Sequence, residues 1–289
     1  MGLTLTQRKA LAIVPKCTGL LSMIGSGIII FDVLRTPKKR KQTYSRIMLS
    51  MSCFDFVTSF MYALSTWPIP ADSSVLYASG TTGTCTFQGF FIQLSLAAPM
   101  YNLCLAIYYM LVIKYRWSDV KLSSIEKFIH PTILILSFGI AIAGLPLKIY
   151  NNANVWCWIS NNPSDPDRPI NGLDANDFRW AFYYAELWSI IVVVTAIMIA
   201  VVLSVVATEK KTSKYAANKV ALSKTVKVQA LFYVSAFYIT WTFPTTLRIL
   251  QTIEVQVPYA IFLCAVGSST VSTRVLQQYH LLKATFPPL

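Results

Sequence analysis

Charged residues are scarce in this 289-residue chain. They make up 13% of it and only 12 of them are acidic, whereas hydrophobic residues make up 55%. That hydrophobic share exceeds the roughly 45–50% typical of soluble domains, and it also excludes intrinsic disorder, which requires low hydrophobicity and high charge. The net charge of +13 would suit a nucleic-acid-binding protein. Long apolar stretches, however, leave no solvated surface for that role, so we expect no nucleic-acid partner.

Histidine is almost absent as well, with only His130 and His280 in the chain. Neither is spaced with cysteine, another histidine or a carboxylate in a metal-binding pattern. We therefore expect no metal site, no cofactor and no enzymatic activity. Each histidine is interpreted as a polar residue near a membrane boundary.

What the chain does contain is seven runs of about 20 residues with few charges, a pattern typical of transmembrane helices. The seventh run is the weakest, because serine and threonine dilute it. The sequence therefore predicts an all-α membrane protein, a seven-transmembrane helix bundle that forms a single domain over residues 1–289. The predicted spans are residues 10–35, 45–69, 86–113, 129–149, 180–207, 228–250 and 257–276.

The cations are unevenly distributed around these spans. Of the 25 lysines and arginines, 18 lie in the segments 35–46, 114–127 and 209–227 or near the C-terminal end. By the positive-inside rule these segments face the cytoplasm, so the N-terminus is expected outside and the C-terminus inside. We expect a multi-pass protein of the plasma membrane, surrounded by lipid. Five tryptophans near span ends are expected at the membrane–water interface: Trp67, Trp117, Trp156, Trp158 and Trp180.

Four of the six cysteines lie inside predicted spans. The other two lie on the side of the membrane that is predicted to face outward. Cys85 lies at the outer start of span 3, and Cys157 lies in the loop before span 5. Because that side is oxidising, the two are predicted to form a disulfide bond that tethers the loop over the mouth of the bundle. The loop from Asn151 to Arg179 is predicted to be an irregular, acidic lid.

Several motifs, in order along the chain, are similar to those of one receptor group. They are Ser50–Asp55 and Trp67–Pro70 in span 2, Cys85–Gln93 and Tyr101–Trp117 in span 3, Trp156–Ile159 in the second outer loop, and Phe237–Thr245 in span 6. They resemble the slime-mould cyclic-AMP-receptor-like and fungal glucose-receptor-like G-protein-coupled receptors over spans 1 to 6. The resemblance implies a receptor that binds a small extracellular ligand and signals to a heterotrimeric G protein. Span 7 departs from the group, because Gly267 is present without the asparagine element that usually follows.

Polar residues at membrane depth are costly unless they face a partner or water, so each is a candidate for function. The predicted ligand-binding set in the outer half of the bundle is Gln88, Glu186, Trp241, Thr245 and Arg248. Asp55 and Asn102 are expected in the bundle core, as part of a switch. Hydrogen bonding that only holds the helices together is an open alternative for any one of them. The acidic lid, together with Glu186 and Arg248 below it, is compatible with three classes of ligand: a cation, a zwitterion or a phosphate.

Prolines are expected to interrupt three spans, at Pro99, Pro146 and Pro244. Pro244 lies one turn from Trp241. We hypothesise that ligand contact at Trp241 rotates the inner half of span 6 about this kink. A static kink that serves packing alone is the alternative.

The cytoplasmic face is expected to bind the G protein or anionic lipid through basic side chains. The residues concerned are Lys114, Arg116, Lys210, Lys211, Lys214 and Lys224.

Three other functions are compatible with seven spans. A retinal protein needs a lysine in the middle of span 7, which has none. A small-solute transporter would be expected to show an internal repeat, and the two halves are not similar. A non-signalling membrane protein with the receptor fold is the main alternative, because of the altered span 7.

Overall fold

The computed structural model describes residues 3–161, 174–212, 235, 238–253, 255 and 258–270, and these are mainly helical. The elements are α1 (Leu5–Arg35), α2 (Pro37–Lys41), α3 (Thr43–Leu64), α4 (Thr82–Gln93), α5 (Ala97–Ile113), α6 (Asp119–Ala143), β1 (Tyr150–Asn152), β2 (Cys157–Ile159), α7 (Ala175–Arg179), α8 (Ala185–Thr212), α9 (238–252) and α10 (Tyr259–Thr270).

Among the described residues, five continuous helical segments are long and apolar enough to cross a membrane: Leu5–Arg35, Thr43–Leu64, Thr82–Ile113, Asp119–Ala143 and Ala175–Thr208. A 3₁₀ turn at Leu94–Leu96 joins α4 to α5, and a π-helical stretch at Trp180–Tyr184 joins α7 to α8. Helices α9 and α10 overlap the predicted spans 6 and 7. Of the other residues in these two spans, the structure describes Ser235 and Pro258.

The fourth helix differs most from the prediction. Helix α6 begins at Asp119, after the extended residue Ser118, and ends at Ala143. Its first turns carry charged residues, so a search for apolar runs places the start of the span too late. The expectation that Pro146 interrupts this span is wrong, because the helix ends before it and Pro146 lies in the following turn. At Pro99, by contrast, the interruption takes the form of the 3₁₀ turn, since proline has no N–H to continue the helical bonding.

Helices α1 and α3 pack closely through a glycine. A Cβ added to Gly19 would lie 2.8 Å from the backbone nitrogen of Ala63 and 2.9 Å from the carbonyl oxygen of Ser59. Next to this contact the Ser59 hydroxyl donates a 2.8 Å hydrogen bond to Ser22 Oγ. Small residues at such interfaces let two backbones approach, which is the main source of helix association in lipid.

A Gly19→Ala substitution is therefore expected to destabilise the bundle by about 1–3 kcal/mol, because the added methyl meets backbone atoms that cannot move aside. Gly27 provides the matched control in the same helix, since a Cβ there would meet only the Phe56 side chain, at 3.7 Å. Thermal unfolding of the purified protein in detergent would measure both. Equal melting temperatures for the Gly19→Ala and Gly27→Ala proteins would contradict the proposed packing.

At the end of the bundle that carries the basic segments, one arginine joins three elements. Arg46 in α3 forms an ion pair with Glu126 in α6, and its Nη1 donates to the carbonyl oxygens of Arg40 and Lys41. Glu126 also contacts His130 Nε2 at 3.2 Å, and His130 Nδ1 lies 3.1 Å from the Tyr101 hydroxyl. This network fixes the short helix α2 against α3, α5 and α6.

Candidate ligand pocket beneath the hairpin

The disulfide bond predicted from the sequence is confirmed. Cys85 and Cys157 are bonded, with their Cα atoms 5.2 Å apart. The bond links the first turn of α4 to β2, and it defines one end of the bundle, which we name the hairpin end.

The loop before α7 begins as an ordered hairpin rather than the irregular lid that was predicted. Strands β1 and β2 are antiparallel, with Tyr150 opposite Ile159 and Asn152 opposite Cys157. The Tyr150 hydroxyl donates to the carbonyl oxygen of Ala141 at 2.8 Å, and burial raises the pKa of this phenol. The remaining part of the predicted lid, residues 162–173, lies outside the described residues.

Glycine makes room for this hairpin. A Cβ on Gly89 would lie 2.8 Å from Tyr150 Cβ, and a Cβ on Gly144 would lie 2.5 Å from the Tyr150 hydroxyl. Trp156 and Trp158, expected at the membrane interface, are instead 8% and 5% exposed and pack inside the bundle. The hairpin thus packs into the end of the bundle, and its side chains form part of the core.

Gln88 holds the hairpin in place through hydrogen bonds. Its side chain is fully buried; Nε2 donates to the carbonyl oxygens of Met61 at 2.9 Å and Ser65 at 3.0 Å, and Oε1 accepts from the Cys157 N–H at 2.8 Å. Both amide N–H groups are used within the protein. Gln88 is expected in the ligand-binding set, but it does not line the cavity that lies beneath the hairpin.

Gln93 has an equivalent role that sequence reasoning missed. Its Nε2 donates to the carbonyl oxygen of Phe182 at 2.9 Å, and its Oε1 accepts from Trp158 Nε1 at 2.9 Å. It therefore connects α4 to the hairpin and to the π-helical stretch. In the sequence, the one sign of this role is a second glutamine in an apolar span. That sign alone does not identify hydrogen-bond partners that are distant in the sequence.

Beneath the hairpin lies a cavity of about 70 Å³, which we name the central pocket. Seven of the described residues that line it are aromatic. Trp158 and Tyr183 have ring centroids 5.1 Å apart, and Tyr183 and Trp241 have centroids 5.8 Å apart. Further lining residues are Tyr62, Trp156, Tyr184, Pro244, Leu247, Arg248, Gln251 and Phe262.

Arg248 stands at the mouth of the central pocket. Its guanidinium carbon lies 5.7 Å from the centroid of the Trp158 ring, and Nη1 donates to Gln251 Oε1 at 2.6 Å. Nε is buried and has no hydrogen-bond partner among the described residues. The group is thus oriented by an aromatic face and an amide, and it retains donor capacity.

A second, polar cavity continues outward from the central pocket, and we name it the vestibule. It shares Ala153, Asn154, Arg248 and Gln251 with the central pocket. Arg179 also lines it, and Arg179 Nε lacks a partner among the described residues. Among the described residues that line it, Asp174 is the one acid, so two guanidinium groups face one carboxylate there. Such a lining attracts a small anion.

The other predicted site residues lie at varied positions. Trp241 and Arg248 line the central pocket, and so does Pro244. Thr245 is buried and accepts a 3.1 Å hydrogen bond from Trp188 Nε1, which joins α9 to α8. Glu186 lines neither the central pocket nor the vestibule, and its buried Oε2 has no partner among the described residues. Asp55 and Asn102 are buried in α3 and α5.

Among the basic residues expected at the cytoplasmic face, Lys114 is the C-cap of α5, and Arg116 follows with a φ of 53°. Nearby, Lys121 Nζ lies 3.9 Å from the centroid of the Trp117 ring. Lys210 and Lys211 belong to α8, whereas Lys214 and Lys224 lie outside the described residues. Among the described residues there is no group of three or more His, Cys, Asp or Glu side chains that could hold a metal ion.

Comparison with curated proteins found no match. A comparison with family models did: residues 4–272 match the slime mold cyclic AMP receptor family. The match spans nearly the whole chain, including all seven predicted membrane spans except the end of the last. The chain therefore belongs to the slime mold cyclic AMP receptor family, and it is a seven-transmembrane receptor-family protein.

Proposed function

We propose that this protein is a plasma-membrane receptor that binds an extracellular anion with a planar ring system in the central pocket and signals to a heterotrimeric G protein. The family name makes cyclic AMP the first ligand to test. The observation that carries the proposal is the position of Arg248, at the junction between an aromatic pocket and a vestibule that contains a second arginine.

The two parts of this cavity suit the two parts of a cyclic nucleotide. Aromatic rings such as Trp158, Tyr183 and Trp241 offer faces against which a planar base can stack. A guanidinium group presents donors in a fork that matches a phosphate. Arg248 and Arg179 provide two such groups at the polar end. A neutral sugar would gain less from this arrangement, because it carries no charge for the arginines to bind.

Several contacts support an extracellular hairpin end. The Cys85–Cys157 disulfide bond lies at the hairpin end. Disulfide bonds persist in oxidising compartments, such as the outside of the cell. The start of α1 lies at the same end, since the Ser65 hydroxyl donates to the carbonyl oxygen of Ala12 at 2.8 Å and contacts that of Val155 at 3.4 Å. An outside N-terminus and basic segments facing the cytoplasm follow from this orientation.

The signal is proposed to pass through α9. Trp241 packs against Tyr183 in the pocket, and Pro244 lies three residues further along the same helix. Because proline removes one backbone hydrogen bond, this position allows the two parts of the helix to rotate relative to each other. The basic residues at the cytoplasmic face would then bind an acidic surface of the G protein.

The proposal is tested by saturation binding of radiolabelled cyclic AMP to the purified receptor in neutral lipid nanodiscs. We expect saturable binding that unlabelled cyclic AMP displaces, and that adenosine, which has the same ring but no phosphate, displaces only at much higher concentration. Equal displacement by adenosine would contradict the role of the arginines. Binding without any G-protein response would favour the non-signalling alternative, which the altered span 7 sequence supports.

A further inference from the structure

A third cavity lies beside the central pocket and shares the hairpin tip with it. It has a volume of about 390 Å³ and lies between the start of α1, the loop after α3 and the first turn of α10. Asn154, Val155, Gln251 and Phe262 line both this cavity and the central pocket. We name it the side cavity.

The side cavity is lined differently from the central pocket. Half of the described residues that line it are apolar and aliphatic, including Leu3, Leu11, Val75 and Leu76. Of the described aromatic residues that line the central pocket, only Phe262 also lines the side cavity. A wall of this kind favours an alkyl chain over a stacked base, because burial of apolar surface stabilises the contact without directional bonds.

Two polar groups mark one part of the wall. Arg8 lines the side cavity, is exposed, and forms no ion pair among the described residues. Thr66 also lines it, is only 2% exposed, and its buried hydroxyl has no hydrogen-bond partner among the described residues. A buried hydroxyl without a partner is costly, and an acceptor on a ligand would remove that cost. The nearby carboxylate of Asp72 is exposed and does not line the cavity.

We propose that the side cavity is a second binding site, and that its ligand is an amphipathic anion with an alkyl chain and a carboxylate or phosphate head. The head would bind Arg8 and accept a hydrogen bond from Thr66, and the chain would lie against Leu11, Val75 and Leu76. The proposal does not rest on the ligand proposed for the central pocket, because the two polar anchors, Arg8 and Thr66, do not line that pocket. Through Asn154 and Val155 its occupant would contact the tip of the same hairpin.

The test uses the full-length protein in phosphatidylcholine nanodiscs and a decanoic acid analogue that carries a photoreactive diazirine on its chain. We expect saturable labelling of the start of α1, residues 74–76 and Phe262, located by peptide mass spectrometry. Decanoate should compete and decanol should not. Arg8→Gln and Thr66→Val should each weaken labelling about tenfold, the usual effect of losing one hydrogen bond to a charged group. Lys9→Gln, which removes the neighbouring exposed cation, should have no effect.

Two further outcomes are informative. If nanodiscs that contain phosphatidylserine abolish the decanoate labelling, the site is supported and its natural occupant is a lipid headgroup rather than a free acid. If labelling rises linearly with probe concentration and is confined to lipid-facing side chains of α1 such as Leu21 and Ile24, the probe only partitions into the bilayer and the proposal is overturned. Labelling that both Arg8→Gln and Thr66→Val leave unchanged would overturn it as well. Cyclic AMP binding is not read in this experiment, so its outcome is separate from that of the proposed function.

Discussion

Replacing Cys157 with serine is expected to lower the free energy of unfolding by about 2–5 kcal/mol, the usual cost of losing a native disulfide bond. The bond joins residues 72 positions apart, so its loss frees a long segment in the unfolded chain. In the folded protein it removes the covalent tie that holds β2 against α4. We also expect loss of ligand binding, because Trp156 and Trp158 enter the central pocket from this hairpin.

Thermal unfolding and cell-surface expression would measure the effect. Cys17→Ser is the matched control, since Cys17 is a free, exposed thiol in α1. The double variant Cys85→Ser/Cys157→Ser should behave like the single one, because each sulfur acts only through the other. A Cys157→Ser protein that melts at the temperature of the unchanged protein would show that hydrogen bonds such as those of Gln88 hold the hairpin without the disulfide bond.

Replacing Arg248 with glutamine is expected to weaken cyclic AMP binding about 10- to 100-fold, as expected for the loss of hydrogen bonds to a charged group. The amide keeps polar donors but loses the positive charge and the fork that would bind a phosphate. Arg248→Lys should recover part of the affinity, since it restores the charge alone. Lys148→Gln is the matched control, because Lys148 is an exposed cation at the hairpin end that lines neither the central pocket nor the vestibule.

Binding isotherms at two salt concentrations would separate the contributions. Lost charge attraction should reduce the salt dependence of affinity in Arg248→Gln, whereas a merely unfolded pocket would bind nothing at either concentration. If Arg248→Gln bound cyclic AMP as tightly as Lys148→Gln did, Arg248 would not contact the ligand.

The sequence was sufficient to predict the five long apolar helices that the structure describes and the disulfide bond. Both depend on local or compositional signals: apolar runs of bilayer length, and two cysteines on the oxidising side. Helix ends were less predictable. The polar first turns of α6 and the capping box at Thr81, which starts α4, lie outside any apolar window.

The site was predicted only in part. Trp241 and Arg248 line the pocket because they share one face of α9, which helical spacing reveals. The hairpin was missed, since its three-residue strands are stabilised by Gln88, Gln93 and the disulfide bond rather than by strand propensity. Partners separated by more than 60 residues, such as Gln88 and Cys157, follow from tertiary packing and leave no local pattern.

The most direct test of the central proposal is ligand-driven dissociation of a heterotrimeric G protein. The receptor would be co-expressed with Gα and Gβγ subunits that carry a donor and an acceptor for resonance energy transfer. We predict that cyclic AMP lowers the energy transfer for the unchanged receptor, and that Arg248→Gln requires about 10- to 100-fold more ligand for the same response. No change in energy transfer at a concentration that saturates the binding site would contradict the proposal that this protein signals through a G protein.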